Sequence, residues 1–128
     1  MSRARWLVDG MNVVGSRPDG WWRDRRGAQA RLAARLAAFA AATGDEVAVV
    51  FDGRPHEVEA PGVDVAFAPA PGANAADAVI AALVESDADP RSLHVVTSDA
   101  ALAVRVRAAG AQVEGAGAFL RRLDALGV

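Results

Sequence analysis

A chain of 128 residues that is 52% hydrophobic and carries a net charge of -2 has the length for one domain with a real core, and is too apolar to stay disordered. With no cysteine and only His56 and His94 as histidines, it forms neither disulfides nor thiolate metal sites, so any metal must be held by oxygen or histidine ligands. No apolar run approaches the ~18 residues of a membrane span and no signal-peptide apolar region opens the chain, which makes the cytoplasm the expected location and excludes a membrane as partner. All fourteen basic residues are arginine, a bias that a GC-rich genome explains more cheaply than function does.

The first strand is expected at Trp6 to Val8, entered from Arg3 and Arg5 and ended by Asp9-Gly10. Gly15 to Gly27 is rich in Gly, Pro and Asp and reads as a loop, long for a strand-to-helix connection. Ala28 to Thr43 carries Leu32, Leu36, Phe39 and Ala40 at helical spacing, with Arg31 and Arg35 on another face and Gly44 as C-cap. Val47 to Phe51 is the continuous β-branched run of a strand buried on both faces, and it ends in Asp52-Gly53. Val63 to Phe67 alternates between prolines, as a short edge strand does.

After a loop from Ala68 to Ala73, Asn74 opens a helix to about Ser86 with Asp77 in its first turn. Asp87-Ala88-Asp89-Pro90 breaks that pattern, and Leu93 to Val96 forms a further strand running into Thr97-Ser98-Asp99. A helix over Ala100 to Ala109 capped by Gly110, a short strand at Ala111 to Val113 and a helix over Ala118 to Leu126 complete the chain. Strands alternating with helices of this length imply right-handed crossovers and a three-layer α/β/α domain with a mainly parallel sheet.

Open parallel sheets bind ligands outside the carboxyl ends of their strands. Asp9, Asp52 and Asp99 each follow a predicted strand and would share that rim, and Asp77 at a helix start reaches it as well. Singly, each acid has a structural explanation: Asp-Gly turns at Asp9 and Asp52, a capping box between Asn74 and Asp77, an N-cap at Asp99. Together they repel, by about 4 kcal/mol per pair at ~4 Å and an effective dielectric of about 20. Only Arg54 stands near them in sequence, so a divalent cation is the economical counter-charge, and carboxylate ligands suit Mg²⁺ or Mn²⁺ better than Zn²⁺. Such a site serves phosphodiester hydrolysis without a protein nucleophile.

Other chemistries fit less well. A histidine-pair mechanism lacks its second imidazole, because His94 lies within a strand and His56 in a loop. Ser98 has neither a nucleophile elbow nor a base, Met11 occupies the place of the second acid of an aspartyl-phosphate enzyme, and Gly115-Ala116-Gly117 lies at the wrong end of the chain for a dinucleotide fingerprint. The loop from Arg17 through Trp21, Trp22, Arg23, Arg25 and Arg26 combines stacking surfaces with phosphate forks, the pairing that single-stranded nucleic acid uses. The competing reading is that one or both tryptophans cap the core beneath the loop while the arginines are a solvated run; the expected outcome is mixed, with one tryptophan buried and the arginines exposed.

Four stretches in this order, Leu7-Val8-Asp9-Gly10-Met11-Asn12-Val13-Val14, Val50-Phe51-Asp52-Gly53, Asn74-Ala75-Ala76-Asp77 and Val95-Val96-Thr97-Ser98-Asp99, resemble the NYN branch of the PIN-like nucleases and, within it, the bacterial YacP-like proteins. The resemblance implies strand order 3-2-1-4-5 and a metal-dependent endoribonuclease acting on single-stranded RNA, such as mRNA or ribosome-associated RNA. It implies an acidic site at Asp9, Asp52, Asp77 and Asp99, with Asn12 and Ser98 as polar helpers. Within that site Asp9, Asp77 and Asp99 are the expected ligands of Mg²⁺ or Mn²⁺. The expected assembly is a monomer or weak homodimer. Two alternatives stay open: a catalytically silent RNA- or ribosome-binding module of the same fold, and a small-molecule phosphohydrolase.

Overall fold

The computed structural model describes residues 4–68 and 75–128. Their backbone runs β1 (Arg5–Asp9), α1 (Gly10–Val14), α2 (Arg25–Thr43), β2 (Glu46–Phe51), β3 (Val63–Phe67), α3 (Ala75–Ser86), β4 (Leu93–Val96), α4 (Ala100–Ala108), β5 (Gln112–Glu114) and α5 (Ala116–Leu126), with 3₁₀ turns at Trp21–Arg23 and Pro90–Ser92. All five strands are parallel, in the order β3-β2-β1-β4-β5. β1 is therefore the central strand, and the chain crosses from one half of the sheet to the other after β3.

Side-chain alternation divides the interior into two cores. Trp6 and Val8 of β1, with Val49 and Phe51 of β2, pack against Val13 of α1, Leu36 and Phe39 of α2, and Phe119 and Leu123 of α5. On this face Trp6, Phe39 and Phe119 meet with ring centroids 5.4 to 5.6 Å apart, the spacing of favourable aromatic pairs. Leu7, Val50 and Val95 point the other way, against Ile80 and Val84 of α3 and Leu102 and Val106 of α4. Three layers result. Asp9 follows the parity of Leu7, Asp52 that of Val50 and Thr97 that of Val95, so all three leave the carboxyl rim on the side of α3 and α4.

Several boundaries differ from the sequence reading, each for a local reason. α2 begins at Arg25 and not at Ala28, because the Asp24 carboxylate accepts from the Gly27 N–H at 3.0 Å and caps the helix early. Arg25 and Arg26 therefore stand in a first helical turn, outside the loop expected for them. Gly10–Val14 winds into a short helix where only a turn was expected, and α5 starts at Ala116, whose N–H donates to Ser98 Oγ at 2.8 Å. That bond occupies the helix start where a Gly115-Ala116-Gly117 phosphate site would lie. β3 is an edge strand, as its prolines suggest. Asn74, expected to open α3, lies outside the described residues.

Gly10 links fold to site because α1 passes directly over β2. A Cβ at this position would run into the Phe51 ring. Gly10→Ala should therefore destabilise by roughly 1–3 kcal/mol through overpacking, read as a lower urea midpoint at unchanged slope. A wild-type midpoint would mean that the Phe51 ring moves aside at no cost.

Candidate active site

Asp9 ends the central strand and is buried, with only 3% of its surface exposed. Its carboxyl is pushed up to about 6, first by burial and then by the charges of Asp77 and Asp52, against the lowering effect of hydrogen bonds from Thr97 and the Asn12 backbone. Asp77, half-buried in the first turn of α3, is likewise raised by burial, by Asp99 and by Asp52. The acids thus act on one another across the rim. Among the described residues none of the ion pairs involves Asp9, Asp52, Asp77 or Asp99.

Hydrogen bonds fix three of these carboxylates by one oxygen each. Asp9 Oδ2 accepts from Thr97 Oγ1 at 2.9 Å, Asp52 Oδ1 from the Ala76 N–H at 2.9 Å, and Asp99 Oδ1 from the Leu102 N–H at 2.8 Å. Asp99 is therefore the N-cap of α4, as expected, and Asp52 serves the start of α3, while the capping box expected between Asn74 and Asp77 lies outside the described residues. The donor set, carboxylate oxygens that no guanidinium pairs with among the described residues, suits a hard cation. Yet among the described residues no group of three acids or histidines is gathered closely enough to hold a metal ion as it stands.

Two residues of the site were not singled out from the sequence. Thr97, 1% exposed, donates its hydroxyl to Asp9 and accepts from the Asp99 N–H at 3.1 Å, tying two rim acids together. A hydroxyl closing a buried β-branched strand was the available signal. Gln29, 4% exposed, donates to the Asp52 carbonyl at 3.2 Å, while its Oε1 lies 2.6 Å from His56 Nε2. It sits on the apolar stripe of α2 in register with Leu32 and Leu36, where a polar side chain is conspicuous.

The expected helpers are engaged with each other. Asn12 Oδ1 accepts from the Ser98 N–H at 2.8 Å, and Ser98 Oγ receives α5, so the pair joins α1 to the β4–α4 turn. His94 stacks on Trp6 with centroids 4.7 Å apart, a structural contact.

Helices that follow strands start at the carboxyl rim, so the 3₁₀ turn and α2 place the basic-aromatic segment there, on the α2 side. Trp22 is 53% exposed, whereas Trp21 is half-buried against the core. Arg23 lies over Trp22 at 5.8 Å and Arg25 over Trp21 at 5.6 Å, both within cation–π range. Arg23, Arg25 and Arg26 are exposed. Arg17 is not a free fork: its Nη2 pairs with Asp124 at 2.7 Å.

A model of the YacP-like NYN domain matches residues 6–127. The structure is similar to that of Rae1 (YacP) from Bacillus subtilis, with a TM-score of 0.76 at 27% identity over 98% of this chain and 75% of that one. The W164L mutant of that protein gives 0.78 at 28% identity, covering 95% and 76% respectively. Comparison with curated proteins returned no match.

Asp9 makes stability depend on pH in a defined sense. The folded carboxyl titrates near 6 and the unfolded one near 3.8, so the folded state holds the extra proton between those values and stability falls as pH rises through that window. Asp9→Asn keeps an acceptor for Thr97 and removes the charge. In EDTA the variant should melt close to wild type at pH 4 and several degrees above it at pH 7, a gain on the order of 2–3 kcal/mol at most. A difference that does not vary with pH would mean that Asp9 is not the titrating group.

Proposed function

The chain belongs to the YacP-like NYN domain family, and on that premise we propose that it is a Mg²⁺- or Mn²⁺-dependent endoribonuclease acting on single-stranded RNA. The observation that carries this reading is Asp9 itself, buried at the end of the central strand with the charges of Asp77 and Asp52 acting on it and none of these acids in an ion pair among the described residues. Such an arrangement costs stability when empty of cations, and binding one relieves it.

Asp9, Asp77 and Asp99 are the residues that would hold the ion, since each lies on the α3–α4 side of the rim. A divalent cation supplies, when bound, a lowered water pKa and neutralisation of phosphate charge. Thr97 orients the Asp9 carboxylate and fixes the backbone of Asp99. Asp52, anchored to α3 through Oδ1, keeps Oδ2 to take a proton from the attacking water or support the ion. Asn12 and Ser98 hold α1 against the β4–α4 turn, which keeps Asp9 and Asp99 on a common frame. Trp22, with Arg23, Arg25 and Arg26, supplies a stacking face and phosphate forks for the RNA strand.

A second reading is a catalytically silent RNA-binding module, and one observation favours it: no ready ligand trio exists among the described residues. The two readings part on a simple test. The ribonuclease reading requires Mn²⁺ to raise the melting temperature of wild type but not of Asp9→Asn, and requires cleavage of single-stranded RNA that stops in EDTA and falls at least 100-fold in Asp77→Asn. Binding without cleavage at any Mn²⁺ concentration would establish the silent module, and turnover of mononucleotides alone would establish a small-molecule phosphohydrolase. Trp22→Ala should weaken RNA binding by ~5- to 150-fold, the range for one stacked base, with the melting temperature unchanged.

A further inference from the structure

A second feature of the basic side lies beyond the basic-aromatic segment. Where α1, α2 and α5 meet, a cavity of about 240 Å³ is lined by Val14, Leu32 and Leu120 and by Arg17, Arg31 and Arg35, with Asp19 also in the lining. Drug-sized ligands occupy ~300–1,000 Å³, so this groove accommodates a fragment, such as a single base or a sugar-phosphate unit. Resting on the ribonuclease reading, we propose that it is an RNA subsite that takes a nucleotide unit of the bound strand away from the cleaved bond, with the phosphate on the arginines and the sugar or base on the apolar lining.

Position supports the assignment. Asp9 precedes α1 and Val14 ends it, so a five-residue helix, a rise of ~7 Å, links the groove to the end of β1; the groove lies on the α2–α5 face and the acids on the α3–α4 face, so a bound strand would cross the rim between them. α2 links it to the exposed Trp22 face, because Arg25 and Arg26 open the helix whose next turns present Arg31 and Arg35. Charge points the same way. Six of the fourteen arginines fall between Arg17 and Arg35, offset within that span only by Asp19 and Asp24, in a chain whose net charge is -2. This is a local basic strip on an otherwise acidic protein, the footprint of a polyanion.

Asp124 sets how the subsite is filled. Its two oxygens pair with Arg17 and Arg35, each at 2.7 Å, and Arg35 also donates to the Val128 carbonyl at 2.8 Å. The Asp124 side chain is 48% exposed, so each pair is weak and solvent-screened. Arg31 is exposed and makes no ion pair among the described residues. Asp124 therefore stands in for the incoming phosphate: it holds two guanidinium groups towards the groove and yields them to an anion that accepts from all three. A planar guanidinium fork matches a phosphate as it matches this carboxylate.

The test is fluorescence anisotropy of a labelled single-stranded oligouridylate in EDTA, where nothing is cleaved, over a range of salt. Arg31→Ala should weaken binding by roughly 5- to 20-fold and reduce the log–log salt slope by about 0.7, the value for one phosphate contact on a single strand. Asp124→Asn should tighten binding several-fold, since it removes the competitor, whereas a purely structural clamp predicts weaker binding and a lower melting temperature. Wild-type affinity and slope in both variants, with Trp22→Ala still impaired, would overturn the subsite and leave the ribonuclease reading standing. No binding of RNA by the wild-type chain would overturn both. An oligoglutamate of equal charge that binds as tightly, with the same dependence on Arg31, would assign the groove to an acidic protein segment and overturn the RNA assignment.

Discussion

Carboxylates whose charges act on one another along a single sheet edge are the constraint on which the upper rim of this domain depends. Burying Asp9 at the end of the central strand already disfavours its charge, and the neighbouring acids add to the cost. Such a cluster is tolerated because each anchored acid also does structural work. Asp99 caps α4, Asp52 meets the start of α3, and Asp9 is gripped by Thr97. Those bonds anchor each carboxylate through one oxygen, so the fold and the proposed chemistry draw on the same side chains.

Strand parity separates the rim into an acidic and a basic half. In a parallel sheet every strand delivers its carboxyl end to one edge, and alternate residues leave on opposite faces. Asp9, Asp52 and Thr97 share the parity that leads to α3 and α4. The arginines and tryptophans come from the segment between α1 and α2 and so gather on the other face. Sheet order then sets the neighbours: β1 lies between β2 and β4, which puts Asp9 between the strand that carries Asp52 and the one that leads to Asp99. A phosphodiester needs both halves, anionic ligands for a cation beside cationic forks for the backbone.

How much was legible in the sequence follows from how local each signal is. Short apolar runs closed by an acid were readable at Asp9, Asp52 and Asp99, because a strand and its terminal turn are neighbours along the chain. The order of the strands came from family resemblance, since periodicity carries no information on pairing. The early start of α2 was missed because Asp24 sits inside a run of arginines, where its capping bond to Gly27 cannot be told from a charge pattern. Arg17 was readable as basic, but its partner Asp124 lies 107 residues away, and nothing local announces it. Thr97 escaped because its role is to bridge two acids in space. Gln29 was visible in principle, as a polar residue on an apolar helical stripe.

The central claim is that the acid rim supports hydrolysis of an RNA phosphodiester by water. Its most direct measurement is the chemistry of the ends produced from an internally labelled single-stranded RNA incubated with the protein and Mn²⁺. Attack by water predicts fragments that carry a phosphate on one side of the cut and a free hydroxyl on the other, with no cyclic phosphate. Ends bearing a 2′,3′-cyclic phosphate would mean that the ribose hydroxyl is the nucleophile, and would contradict the account.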